Sequence, residues 1–206
     1  MTYLSLNKLL GIKENNRMNK TELGRRLFAV SHIRGTFRLR SGRSSEEYFD
    51  KYLFEAQPML LQAIAEHMAG LIPSDADVLA GLELGGIPVV TLLSSLTGIH
   101  ARFVRKQAKN YGTGKLAEGG EVAAKRVVVV EDVVTSGGQI IASTTQLRAL
   151  GAMVSDVLCV IDREAGGTEP LAAAGLRLHA LFTMSELQSL AQLGAAGDAL
   201  PRAPER

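Results

Sequence analysis

The order of apolar runs along this chain predicts an α/β protein with a mostly parallel central sheet flanked by helices, and three observations carry the prediction. Four consecutive valines at 127–130 are β-branched throughout and too short for a helix, which marks a strand covered on both faces. Short apolar runs at 78–82, 101–104 and 155–161 recur between stretches of helical spacing, the alternation of a parallel sheet. The 206 residues, 46% of them apolar, suffice for one continuous core and fall short of two full catalytic domains. Ligands of such a sheet sit beyond the carboxyl ends of its strands.

The elements follow in order. Residues 1–18 form a leader without a clear pattern, and a single domain is expected over 19–193. Asn19 followed by Glu22 resembles a capping box, and Leu23, Leu27 and Val30 continue at helical spacing, so a helix is expected over Lys20–Ser31. Phe37 and Leu39 alternate with Arg38 and Arg40 until Ser41-Gly42, and residues 48–54 read as a second short strand. Pro58 suits the first turn of a helix with Leu61, Ile64, Ala65 and Met68 on its face. Strand 78–82 enters the turn Glu83-Leu84-Gly85-Gly86, and a helix follows over 87–96. After the valines, residues 138–150 read as a helix closed by Gly151. Residues 105–120 hold four glycines and four basic side chains with few apolar anchors, the composition of a mobile functional loop that does not pack on its own core. The tail, 194–206, has two prolines and no core pattern and is expected to be flexible.

Composition narrows the function classes. The net charge of +2 arises from 23 basic and 21 acidic side chains, so no nucleic-acid coat is expected and any anion site must be local. The single cysteine, Cys159, lies in an apolar run, which excludes a disulfide framework within the chain and fits a reducing, cytoplasmic setting. No window reaches the ~18 apolar residues of a membrane span. His32, His67, His100 and His179 lack metal-ligand spacing, so no protein-held metal is expected.

The chemistry concentrates in Val127-Val128-Val129-Val130-Glu131-Asp132-Val133-Val134-Thr135-Ser136-Gly137-Gly138-Gln139. A buried strand delivers two adjacent carboxylates, then a hydroxyl- and glycine-rich turn, to the start of a helix. Backbone N–H groups at that helix start, with the Thr135 and Ser136 hydroxyls, suit a monophosphate ester. Glu131 and Asp132 repel phosphate and suit sugar hydroxyls instead, with Asp132 read as a surface carboxylate at a strand end. A ribose 5-phosphate satisfies both halves. A Walker loop is excluded because no Gly-Lys-Ser/Thr follows, and a dinucleotide fingerprint lacks its Gly-x-Gly-x-x-Gly.

These thirteen residues resemble the motif by which type I phosphoribosyltransferases bind 5-phosphoribosyl-1-pyrophosphate (PRPP), and most of the chain is similar to orotate phosphoribosyltransferases in particular. The resemblance implies the type I fold, with a small N-terminal hood and a flexible catalytic loop. Phe103-Val104-Arg105-Lys106-Gln107-Ala108-Lys109-Asn110-Tyr111-Gly112-Thr113 resembles that loop, whose basic positions are matched by Arg105, Lys106 and Lys109. In similar enzymes it reaches the neighbouring subunit's pyrophosphate, which implies a homodimer with shared sites. Tyr111 stands where some members carry histidine, among the residues that meet PRPP. Ile161-Asp162-Arg163-Glu164-Ala165-Gly166-Gly167 resembles the segment whose arginine meets the orotate carboxylate, and Thr135, Arg40, Tyr48 and Phe49 match further orotate-side positions. Two departures stand out: Arg40 replaces the usual lysine, and Gly85 occupies a position that is lysine in many members.

The resemblance implies the reaction of orotate and PRPP to orotidine 5′-monophosphate and pyrophosphate, in de novo pyrimidine synthesis, with Mg²⁺ carried on PRPP. Arg105, Lys106 and Lys109 would stabilise the departing pyrophosphate, and Asp132 with Glu131 would hold the ribose and favour its developing positive charge. Two alternatives stay open on the residues: another nucleobase as acceptor, and a non-catalytic PRPP-sensing regulator.

Overall fold

The computed structural model describes residues 18–38, 42, 44–107 and 115–197. Arg40, Lys109, Tyr111 and most of the expected leader and tail lie outside the described residues.

The first helix, α1 (Lys20–Ser31), starts where its cap predicts: the Asn19 side chain accepts the Glu22 N–H at 2.9 Å, and Leu23 and Leu27 are buried. Two antiparallel strands, β1 (His32–Arg38) and β2 (Ser44–Phe49), form a small separate sheet. The strand expected over 48–54 ends at Phe49. Asp50 accepts the Tyr52 N–H at 3.0 Å and turns the chain into a short helix, α2 (Tyr52–Glu55), which buries Phe54 and Glu55. Local hydrogen bonding by an aspartate overrides the β-like composition of Tyr52-Leu53-Phe54. Helix α3 (Pro58–Met68) then opens on its proline.

The main sheet holds β3 (Val78–Leu82), β4 (His100–Val104), β5 (Ala117–Glu118), β6 (Arg126–Val134), β7 (Met153–Asp162) and β8 (Arg177–Thr183), in the order β5-β4-β3-β6-β7-β8. All pairs are parallel except β4 with β5. Helices α4 (Gly86–Thr97), α5 (Gly138–Ala149), α6 (Thr168–Ala173) and α7 (Met184–Gly197) alternate with these strands among the described residues. The valine run shows why a parallel strand loses its alternation: Val128 and Val130 join the core beneath α1, α3 and α4, while Val127 and Val129 join the one beneath α5 and α6. Both faces are covered. No membrane-spanning helix occurs among the described residues.

Strand β6 runs four residues beyond the valines, so Glu131 and Asp132 belong to the strand itself. The segment 105–120 departs from expectation at its carboxyl end. Leu116 and Ala117 are buried, the Arg105 N–H donates to the Leu116 carbonyl at 2.9 Å, and β5 pairs with β4. Three apolar side chains, Leu116, Ala117 and Val122, anchor that end to the core despite the basic residues around them.

Candidate active site

The carboxyl end of β6, at the centre of the sheet, brings most of the expected site residues together. Beyond Val134 the chain turns through Thr135 and Ser136, both exposed, to Gly137, whose φ of 73° lies in the left-handed region that glycine adopts without penalty. A Cβ there would also stand 3.0 Å from the Leu171 side chain of α6. Gly137 caps α5 without a side-chain bond, which leaves the first N–H groups of a 12-residue helix for an anion. The Gln139 amide donates to the Ser143 hydroxyl at 3.1 Å, along the helix.

Behind this turn lies a compact acid cluster. Asp132 has no exposed surface and Glu131 is 8% exposed, so neither is the surface carboxylate that a strand end suggests. Helix α2 and the residue before it cover them. The Asp132 Oδ1 accepts the Val133 N–H at 2.6 Å, and Oδ2 lies 2.5 Å from the Lys51 Nζ. Glu55, one helical turn after Lys51, faces the same carboxylate. Burial, then the neighbouring Asp132, pushes Glu55 up to about 9 and Glu131 well above the usual carboxylate range. Burial alone would raise Asp132 too, but hydrogen bonds from Glu131, Glu55 and Lys51 hold it low. Lys51 is raised, its burial outweighed by Asp132. Lys51 and Asp132 thus form the ion pair of the cluster, and burial disfavours charge on the two glutamates beside it.

The hood and the end of β7 bring Phe49 and Arg163 together beside this turn. The Arg163 N–H donates to the Val134 carbonyl at 2.9 Å, and its guanidinium lies 5.9 Å from the ring centre of Phe49. Glu164 does not occupy that arginine; its carboxylate accepts the Ser185 N–H and hydroxyl at 2.8 and 2.9 Å, at the start of α7. Tyr48 stands apart from Phe49: successive strand residues point oppositely, and the Tyr48 ring, 44% exposed, lies 5.4 Å from Phe37. At the root of the basic loop, the Lys106 N–H donates to Glu83 at 2.5 Å and the Arg105 side chain lies 3.5 Å from Glu118. Lys51 and Glu55 were not anticipated from the sequence. Their spacing of four is the available signal, masked by the strand-like composition of residues 48–54.

The domain model described as phosphoribosyl transferase domain matches residues 53–174, from α2 through α6. An orotate phosphoribosyltransferase of Nocardioides is 53% identical over 167 residues, covering 81% of this chain and 93% of the relative. The chain belongs to the orotate phosphoribosyltransferase family. A second member, from Methanocella arvoryzae, is 43% identical over 153 residues and covers 74% of this chain and 87% of its own. Among solved structures, the orotate phosphoribosyltransferase of Mycobacterium tuberculosis in complex with PRPP superposes with a TM-score of 0.71 at 31% identity, over 82% of this chain and 98% of that one. This phosphoribosyltransferase thus has the type I fold, and its acid cluster is set at the carboxyl edge of the central strand.

Proposed function

We infer that the chain transfers the 5-phosphoribosyl group of PRPP to orotate, giving orotidine 5′-monophosphate and pyrophosphate. One observation carries this reading: Val134, the last residue of β6, accepts the Arg163 N–H at 2.9 Å, so the arginine beside the Phe49 ring stands next to the phosphate turn. A carboxylate-bearing planar base can then stack on Phe49 and meet the guanidinium fork, while its sugar partner lies over Glu131 and Asp132.

In this reading Thr135, Ser136, Gly137 and Gly138 hold the 5-phosphate, with Val133, Val134 and Gln139 shaping the same turn. Glu131 and Asp132 meet the ribose hydroxyls once the hood segment 51–55 that covers them moves aside. The bond from ribose C1 to the pyrophosphate oxygen breaks with its electron pair going to pyrophosphate, and the base nitrogen bonds to C1. Charge stabilisation is the main demand on the protein. Arg105 and Lys106, at the root of the loop, with Lys109 and Tyr111, supply it on the leaving-group side. Magnesium would arrive as part of the PRPP complex and share the neutralisation of the pyrophosphate with these basic side chains. Soluble substrates and a lone buried thiol support a cytoplasmic setting.

We place the full site at a homodimer interface, each loop serving the partner's pyrophosphate. Pyrophosphate release from PRPP and Mg²⁺ with a panel of bases tests the substrate: orotate must be the preferred acceptor, and release with a purine alone refutes it. Lys109→Ala should lower kcat roughly 10²–10³-fold, as for one preorganised charge stabiliser. Mixed with an Asp132→Asn protein it should regain activity in hybrid dimers, and failure despite demonstrated subunit exchange refutes the shared site.

A further inference from the structure

The acid pair of β6 is served by a cation from outside both the strand and the neighbouring turn 83–86. At Gly85, where many family members place a lysine, there is no room for a side chain: a Cβ would stand 1.5 Å from the Asp132 Oδ2, 2.3 Å from its Cγ and 2.8 Å from the Glu55 Oε1. The Asp132 carboxylate fills the space beside the glycine. It is turned there with Oδ1 on the Val133 N–H and Oδ2 on the Lys51 Nζ. Lys51 precedes α2, and Glu55 follows four residues later on the same oxygen's side, so one short segment of the hood closes over the carboxylate. The pair has a sealed end and a wet end, because Asp132 is fully buried while 32% of the Lys51 side chain is exposed.

We propose that Lys51 is a positioning residue for phosphoribosyl transfer, holding the Asp132 carboxylate charged and in one rotamer in the space beside Gly85 until the hood segment opens to the ribose hydroxyls. This rests on the reading of Glu131 and Asp132 as the ribose ligands. A buried carboxylate flanked by two further acids keeps neither its charge nor its rotamer without a cation at hydrogen-bond distance. The glycine at 85 and the lysine before α2 are therefore two sides of one arrangement. With a side chain at 85 the carboxylate could not lie there, and without Lys51 it would not stay.

The test is steady-state kinetics on Lys51→Met, Lys51→Arg, Asp132→Asn and the double variant Lys51→Met/Asp132→Asn, with PRPP and orotate varied separately and unfolding midpoints recorded. Lys51→Met should raise the KM for PRPP by roughly 10–10²-fold, the scale of loss from a group misplaced by about 1 Å, with a much smaller change in the KM for orotate. Lys51→Arg, which keeps the cation, should recover most of that loss. The double variant should be no worse than Asp132→Asn alone, because Lys51 acts through Asp132. Should Lys51→Met fail to fold, Lys51→Gln replaces it with the same expectations. An unchanged or lowered KM for PRPP, or losses that multiply in the double variant, overturns the proposal while leaving the ribose reading intact. Native kinetics for Asp132→Asn removes the ribose reading itself, and the proposal with it.

Discussion

Gly85→Ala isolates a contact that the backbone does not confound. Gly85 has φ −71° and ψ −28°, a right-handed conformation open to any residue, so the whole cost of a methyl group lies in what it meets. It would meet the Asp132 Oδ2 at 1.5 Å, far inside contact distance. The carboxylate must swing away, giving up Lys51 and the Val133 N–H. Breaking a buried ion pair costs about 3–5 kcal/mol, against which replacing glycine recovers about 0.4–1 kcal/mol through the unfolded chain. A net loss of about 2–4 kcal/mol should lower the unfolding midpoint by roughly 5–15 °C for a domain of this size. Thermal unfolding measures this, and the KM for PRPP, measured on the folded variant, should rise together with it. Gly70→Ala is the control: a Cβ there has nothing within 4 Å, and its effect should stay within about 0.5 kcal/mol. Equal stability and equal PRPP kinetics for Gly85→Ala and Gly70→Ala would refute the placement of Asp132 against Gly85.

Arg163→Ala should raise the KM for orotate by roughly 10–10²-fold, the range of a lost charge-assisted contact, and shift the KM for PRPP far less; equal shifts in the two constants refute its place on the base. Glu55, pushed up to about 9, holds a proton in the folded state that the unfolded chain releases above about 4.5, so native stability falls as pH rises across that window. Glu55→Gln lacks this penalty, and its stability relative to the native protein should grow by up to ~1.4 kcal/mol per pH unit between about pH 5 and 9, as read by urea unfolding; a flat difference contradicts the buried proton. Asp156 is held down to about 2, its burial outweighed by Arg177, His179 and Ser155, with Arg177 bonds at 3.0 and 2.9 Å. Its contribution is present above the ordinary aspartate value and lost as pH falls toward 2, so Asp156→Asn should cost about 1 kcal/mol at pH 7, the exposed Arg177 partner being screened by solvent, and converge with the native protein in acid. Parallel acid-unfolding curves would rule this out.

Much of the scaffold was legible in one dimension because local signals suffice for it. Helix Lys20–Ser31 follows from a cap and a spacing, strand Val78–Leu82 from an apolar run between turns, and the turn 135–138 from hydroxyls and glycines at a helix start. The order of residues alone also places Glu131 and Asp132 at the end of a buried strand. It could not tell that Asp132 is sealed, that residues 52–55 are helical, or that Leu116 and Ala117 pin the basic loop to the core. The acid cluster joins residues from three distant segments: Lys51 and Glu55 of the hood, Gly85 after β3, and Asp132 on β6. Only the pairing of β3 beside β6, with the hood folded over both, brings them within bonding distance. Periodicity reports which face of an element is covered. It does not report by what, and the charge, exposure and protonation of a carboxylate depend on its neighbours in space.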